Sequence, residues 1–126
     1  MYLVARVVLM ISGLLIAFGG LYDLFTPRIP LHLLAICGVN QHAQDLVREL
    51  LRALGGALTA IGFSVCTIAL FAGPAPSNLE LSLILLLVLP AEGVNALGMY
   101  RVGSPWRIPV AFAILTVVGV ILAWLA

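Results

Sequence analysis

The sequence contains no lysine, and its six arginines and five acids make up only 9% of 126 residues. A soluble domain carries about 25% charged residues. That scarcity excludes a soluble enzyme and a disordered chain, and the lack of a basic stripe excludes a nucleic-acid partner. Cysteine is equally sparse. Cys37 and Cys66 lie 29 residues apart with no C-x-x-C spacing, which argues against a thiol–disulfide machine and a structural zinc site. His32 and His42 flank Cys37 at five-residue spacing, and that pattern matches no metal motif. No metal and no cofactor is therefore expected.

What the chain does have is apolar side chains, 63% of the total. A membrane span needs roughly 20 apolar residues to cross about 30 Å of hydrocarbon. Four segments qualify, at about 3–22, 53–72, 79–99 and 108–126. The first has a long apolar stretch at 7–21 and is expected to be a retained span, not a signal peptide. The expected fold is all-α: a single membrane domain over 1–126, an up-and-down four-helix bundle. Residues 31–39 form an additional apolar run too short to span, so a re-entrant or interfacial segment is expected in the first loop.

The punctuation agrees with this division. Thr26, Pro27 and Pro30 break the first helix, Gly38 can stop the short segment, and Asn40 can cap the helix after it. Gly73-Pro74-Ala75-Pro76 is a tight breaker, and Ser77-Asn78-Leu79-Glu80 reads as a capping box opening the third span. From Gln41 the pattern is helical and amphipathic. Asp45 and Glu49 are like charges offset by Arg48 and Arg52. If this polar stretch runs into the second span, the helix is about 48 Å long, so its first turns project from the membrane or it bends at Gly55-Gly56. Gly56, Ala60 and Ser64 continue the Arg52 stripe, and Gly13 and Ala17 form a similar one. Such small-residue stripes let helices approach closely in lipid; intramolecular packing is the expectation, a homodimer seam the alternative. Ser64, Thr67 and Thr116 are expected to bond back to their own helices.

Arginines divide five to one between the two ends of such a bundle: Arg28, Arg48, Arg52, Arg101 and Arg107 against Arg6. By the positive-inside rule, this multi-pass protein of the cell membrane has both termini outside, with the first loop (23–52) and third loop (101–107) cytoplasmic. The same end carries Asp23, Asp45, Glu49, Glu92 and both histidines. Either a pocket opens there, or these residues form a solvated face in contact with lipid headgroups.

Depth separates the candidates. Glu92 lies twelve residues beyond Glu80, about 18 Å into the membrane. Pro90 removes a backbone hydrogen bond just before it and favours a kink. An intramembrane carboxyl is costly and a functional candidate by default; its alternative is a structural partner of an arginine or backbone group. Arg52 is the expected counter-charge. Glu92, Asp23 and His42 are the candidate proton-transfer residues, since His42 shares the polar turn with Asp45 and Glu49. Asn95, Arg52, Glu49 and Tyr100 are the candidate orienting or substrate-binding residues, with Tyr100 alternatively an interfacial belt residue beside the anchor Trp106.

Together these residues carry a resemblance. A first helix ending in Tyr22-Asp23-Leu24-Phe25-Thr26-Pro27, an Arg–Gly start at Leu51-Arg52-Ala53-Leu54-Gly55-Gly56-Ala57-Leu58 and an acid in the third span look like the small bacterial DoxX-like four-helix membrane proteins. The resemblance covers most of the chain. It implies a four-helix bundle with a polar pocket near one membrane face, and no agreed activity. Glu92 stands where an acid is common in that pattern, and the insert at 31–45 departs from it.

Three functions are compatible with these residues. One is a cofactor-independent membrane enzyme, an isomerase, cyclase or hydrolase acting on an apolar isoprenoid-, sterol-, quinone- or polyketide-like ligand that enters from lipid. Two titratable groups at different depths suit such acid–base work. The others are a proton-coupled transporter built as a dimer, and a non-catalytic accessory or binding subunit.

Overall fold

Local signals mark several of the helix ends. The computed structural model describes residues 1–73 and 75–126; Pro74, at the centre of the expected breaker, lies outside them. The elements are α1 (Tyr2–Phe25), α2 (Leu31–Cys37), α3 (Gln41–Phe71), α4 (Asn78–Arg101) and α5 (Arg107–Trp124). Gly38 closes α2 with a left-handed φ of 59°, a conformation that favours glycine. Asn40 then caps α3, its side-chain oxygen accepting from the Ala43 N–H at 3.2 Å. Ser77 and Glu80 form the reciprocal capping box of α4, which continues through Pro90.

Four of the five helices, α1, α3, α4 and α5, are long and apolar enough to cross a membrane. Their outer faces present Leu3, Phe18, Leu86, Val94 and Ile114, all more than half exposed. An apolar surface of that extent suits lipid and not water. The 31 residues of α3 form one continuous helix, about 46 Å long and so longer than the hydrocarbon is thick.

Contacts fix the arrangement of the bundle. α1 packs between α3 and α5, α4 packs on α5 and closes more lightly against α3, and α2 touches α3. Opposite ends of neighbouring helices meet. Arg6 near the start of α1 donates to the Ala72 and Gly73 carbonyls after α3, at 2.9 and 2.7 Å. Ser12 of α1 shares a 2.5 Å hydrogen bond with Thr116 of α5, and Thr116 also donates to its own helix at the Phe112 carbonyl. Ser64 and Thr67 bond back to the Ala60 and Phe63 carbonyls as expected.

The α1–α3 interface depends on missing side chains. A Cβ at Gly62 would meet the Ala17 backbone nitrogen and stand 2.5 Å from the Gly13 carbonyl oxygen, while one at Gly20 would stand 2.5 Å from the Thr59 nitrogen. In lipid, where hydrophobic burial gives helices no drive to associate, such close approach supplies the attraction. This corrects the expected packing stripe on α3. Ala60 and Ser64 are exposed and a Cβ at Gly56 would meet nothing within 4 Å; the seam uses Gly55, Gly62 and Cys66, which lie on another face. Behind it sits the dry core of Leu9, Val65, Leu81, Ile84, Val88 and Val120, each at most 3% exposed.

Candidate functional site

The ends of α1 and α4 and the starts of α3 and α5 meet at one end of the bundle, where all the charged residues but Arg6 and Glu80, and both histidines, belong. Glu92 is the deepest of them. It sits on α4, two residues beyond Pro90, and only 2% of its surface is exposed. Its Oε2 atom is buried and has no hydrogen-bond partner among the described residues. A native structure rarely leaves a buried oxygen in that state, and a ligand or solvent molecule in the adjoining space would relieve the cost.

That space exists. A cavity of about 310 Å³ is lined by Glu92 and Asn95 from α4, Tyr22 and Asp23 from the last turn of α1, and His32 from α2. The remaining wall is mostly apolar, with Ile16, Leu58, Met99, Ile108 and Phe112 among its residues. The volume falls at the lower end of ordinary small-molecule pockets, which pair an apolar lining with a few convergent polar groups. Asn95 lies about one turn beyond Glu92 and sets its side chain against the carboxyl. A smaller cavity of about 190 Å³ shares Asp23, Pro30, His32, Met99 and Ser104 with the first, so Asp23 and His32 border both spaces.

Local structure holds the rim. The Ser104 N–H donates to the Met99 carbonyl at 2.9 Å, drawing the α4–α5 loop back over the end of α4. Outside it, the Tyr100 and Trp106 rings meet edge to face with centroids 6.0 Å apart, and the Arg107 guanidinium lies 5.9 Å from the Trp106 ring centre. On the other side, Pro30 leads directly into α2 and brings His32 to the cavity.

Of the residues singled out from sequence, the structure brings Glu92, Asn95 and Asp23 to one cavity. It does not bring the others. Arg52 is exposed and pairs with Glu49 at 2.7 Å, so neither reaches Glu92, and the expected Arg52 counter-charge is replaced by a pair within α3. Both lie in the N-terminal part of α3, and the like-charge problem there is settled locally, with Arg48 bonding Asp45 at 3.0 Å. His42 is exposed on the first turn of α3, away from the cavity. Tyr100 is 66% exposed and packs on Trp106, outside the cavity. His32 is the residue that sequence reasoning passed over; its one signal was Pro30 two positions earlier, which turns the chain at the head of α2.

Chemically, this arrangement offers one deep carboxyl with a free oxygen, a neighbouring amide, and a second carboxyl and an imidazole nearer the end of the bundle. Such a set can accept a proton at one point of an apolar ligand and deliver one at another. Among the described residues no cluster of three or more His, Cys, Asp or Glu side chains is placed to hold a metal ion. No family model, curated protein or solved structure matches the chain.

Proposed function

We propose that this protein is a small integral membrane enzyme that converts an apolar, isoprenoid-, sterol- or polyketide-like molecule by acid–base chemistry: isomerisation, cyclisation or epoxide opening. The observation that carries the proposal is Glu92, a carboxyl on a helix long and apolar enough to cross a membrane, buried to 2% exposure, with one oxygen unpartnered among the described residues, beside a cavity of about 310 Å³. In an isomerisation, the Glu92 carboxylate takes a proton from the carbon next to an activating carbonyl. It returns that proton to a second carbon, so the enzyme ends as it began. Asn95 steadies the Glu92 carboxyl, and Asp23 or His32 serves as the second proton-transfer group. The apolar wall favours a ligand of low polarity and keeps water from competing with it.

The dry core beneath the cavity supports this reading over transport. Beyond Glu92 toward the other end, α4 contributes Val88, Ile84 and Leu81, all at most 1% exposed. A proton or hydrophilic solute crossing the bundle would have to pass this apolar segment. In the same proposal, both termini lie outside, the arginine-bearing loops face the cytoplasm, and α2 lies at the interface. In the same proposal the chain is related to the DoxX-like proteins, through the helix end at Tyr22 to Pro27, the Arg–Gly start at Leu51 to Leu58 and Glu92.

The test is an organic extract of purified protein analysed by mass spectrometry, comparing wild type with Glu92→Gln. We expect a specific apolar compound in the mutant and its converted isomer or hydrate in wild type. Loss of a positioned acid–base group lowers turnover by about 10²–10⁴-fold. A folded Glu92→Gln protein that converts the identified compound at the wild-type rate would overturn the proposal.

A further inference from the structure

A second groove lies apart from the Glu92 cavity, where the chain passes from α1 into α2. Arg28, Ile29, Leu31 and Leu34 form one side and Gln44 and Arg48 of α3 contribute to the other, around a space of about 310 Å³. Pro27 and Pro30 bracket Arg28 and Ile29, and restrict the backbone that presents them. The Gln44 side-chain nitrogen donates to the Gly38 carbonyl at 2.8 Å, which ties the α2–α3 turn to the same wall.

The charges in this groove are not balanced. Arg48 donates through Nη1 to Asp45 at 3.0 Å, but its Nε is buried and has no partner among the described residues. Arg28 takes part in neither ion pair formed among the described residues. Two guanidinium groups thus border the groove, with one exposed carboxylate beside them. Next to them lies apolar surface with no protein cover. Leu31 is 83% exposed, Ile36 is 66% exposed, and α2 has no buried residue at all.

We infer that this groove binds a phosphate-bearing lipid of the surrounding bilayer, its phosphate between Arg28 and Arg48 and its acyl chain along Leu31 and Leu34. Guanidinium forks match the oxygens of a phosphate in geometry and charge, and both arginines line the groove. Inorganic phosphate offers the same oxygens to the arginines. The exposed leucines favour the lipid, because only an acyl chain would cover them. Clusters of basic residues at the cytoplasmic membrane surface read anionic headgroups in this way. The inference does not rest on the enzyme reading, since neither arginine lines the Glu92 cavity.

The experiment is native mass spectrometry of the purified protein, released from detergent after titration with dioleoyl-phosphatidylglycerol. Parallel titrations use dioleoylglycerol, which lacks the phosphate, and dioleoyl-phosphatidylglycerol in the presence of equimolar inorganic phosphate. Wild type should retain the phospholipid and not dioleoylglycerol, and inorganic phosphate should not displace it. Arg28→Gln and Arg48→Gln should each weaken retention about tenfold or more, the loss of a charged hydrogen bond. Arg101→Gln, which removes an exposed arginine outside this groove, should retain the lipid like wild type, and so should Glu92→Gln. Arg28 has no ion-pair partner among the described residues to lose, so Arg28→Gln separates lipid binding from misfolding where Arg48→Gln disturbs Asp45. Retention by Arg28→Gln equal to wild type, an equal loss in Arg101→Gln, or equal retention of dioleoylglycerol would each overturn the inference. Displacement by inorganic phosphate would assign the groove to a soluble phosphate and overturn the lipid.

Discussion

Replacing Gly62 by alanine tests the α1–α3 seam, on which the position of the cavity walls depends. The new Cβ would run into the Ala17 backbone nitrogen and stand 2.5 Å from the Gly13 carbonyl oxygen and 2.8 Å from the Ala17 Cα. All three are backbone atoms, so no side-chain rotation can relieve the clash. The helices must part by about 0.9 Å to bring the carbonyl back to the 3.4 Å of ordinary contact. Overpacking of this kind costs about 1–3 kcal/mol, while the change from glycine to alanine inside a helix returns at most about 1 kcal/mol. The net expectation is a destabilisation of up to about 2 kcal/mol. Gly56 is in the same helix, and a Cβ there meets nothing within 4 Å. Gly56→Ala should therefore be neutral or stabilising by up to about 1 kcal/mol. Unfolding in mixed micelles with increasing dodecyl sulfate, followed by helical circular dichroism, compares the two midpoints directly. A Gly62→Ala midpoint equal to or above that of Gly56→Ala refutes the seam. It would return the packing face to the stripe that Gly56 shares with Ala60 and Ser64.

Other perturbations probe single contacts. Ser12→Ala removes the buried bond to Thr116 and should cost about 0.6–1.7 kcal/mol, the range for hydrogen bonds between helices in membranes. A Thr116→Val partner in a double-mutant cycle should show coupling of that size, and additive effects would show that the bond contributes nothing. Arg6→Met strips the donor from the Ala72 and Gly73 carbonyls and should lower the same unfolding midpoint by about 1–3 kcal/mol, with faster amide exchange at the end of α3 as the local readout. Asn40→Ala should destabilise the start of α3 by about 1 kcal/mol while Asn40→Asp leaves it unchanged, measured by exchange at Gln41 to Gln44. Exchange at those amides that Asn40→Ala leaves unchanged would show the cap to be irrelevant.

The parts of the fold that were legible in the sequence are those set by local physics. Span lengths follow from bilayer thickness, and Gly38, Asn40, Ser77 and Glu80 punctuate the chain through backbone donors and φ angles that depend on near neighbours. The place of Glu92 in the interior of α4 followed from simple counting along a helix. What sequence could not choose was the face of α3. Below Arg52, Gly56, Ala60 and Ser64 make one stripe of small residues; Gly55, Gly62 and Cys66 make another of similar character. In water a polar face would have marked the outside, but in lipid both faces are apolar or small and only backbone proximity decides between them. Which histidine borders the cavity was illegible for a related reason. His42 has acidic neighbours along the chain, whereas His32 reaches the cavity because Pro30 and α2 turn toward the end of the bundle, and that is a property of the path and not of the neighbours.

The failure of the Arg52 expectation strengthens the case for Glu92. A buried carboxyl paired with an arginine would be accounted for by the pair itself, because removing either partner would leave an uncompensated charge. Here Arg52 is engaged with Glu49 at the exposed start of α3, and Glu92 lines a cavity beside Asn95 with no ion-pair partner among the described residues. A purely structural acid in that position is hard to justify, since glutamine or leucine would fill the same volume without the cost of an unpartnered oxygen. The cavity itself points the same way. Its wall sets Glu92, Asn95, Asp23 and His32 among apolar residues such as Ile16, Leu58 and Phe112. Under the proposed function, such a lining would hold a small lipophilic molecule, with Glu92 exchanging protons with it.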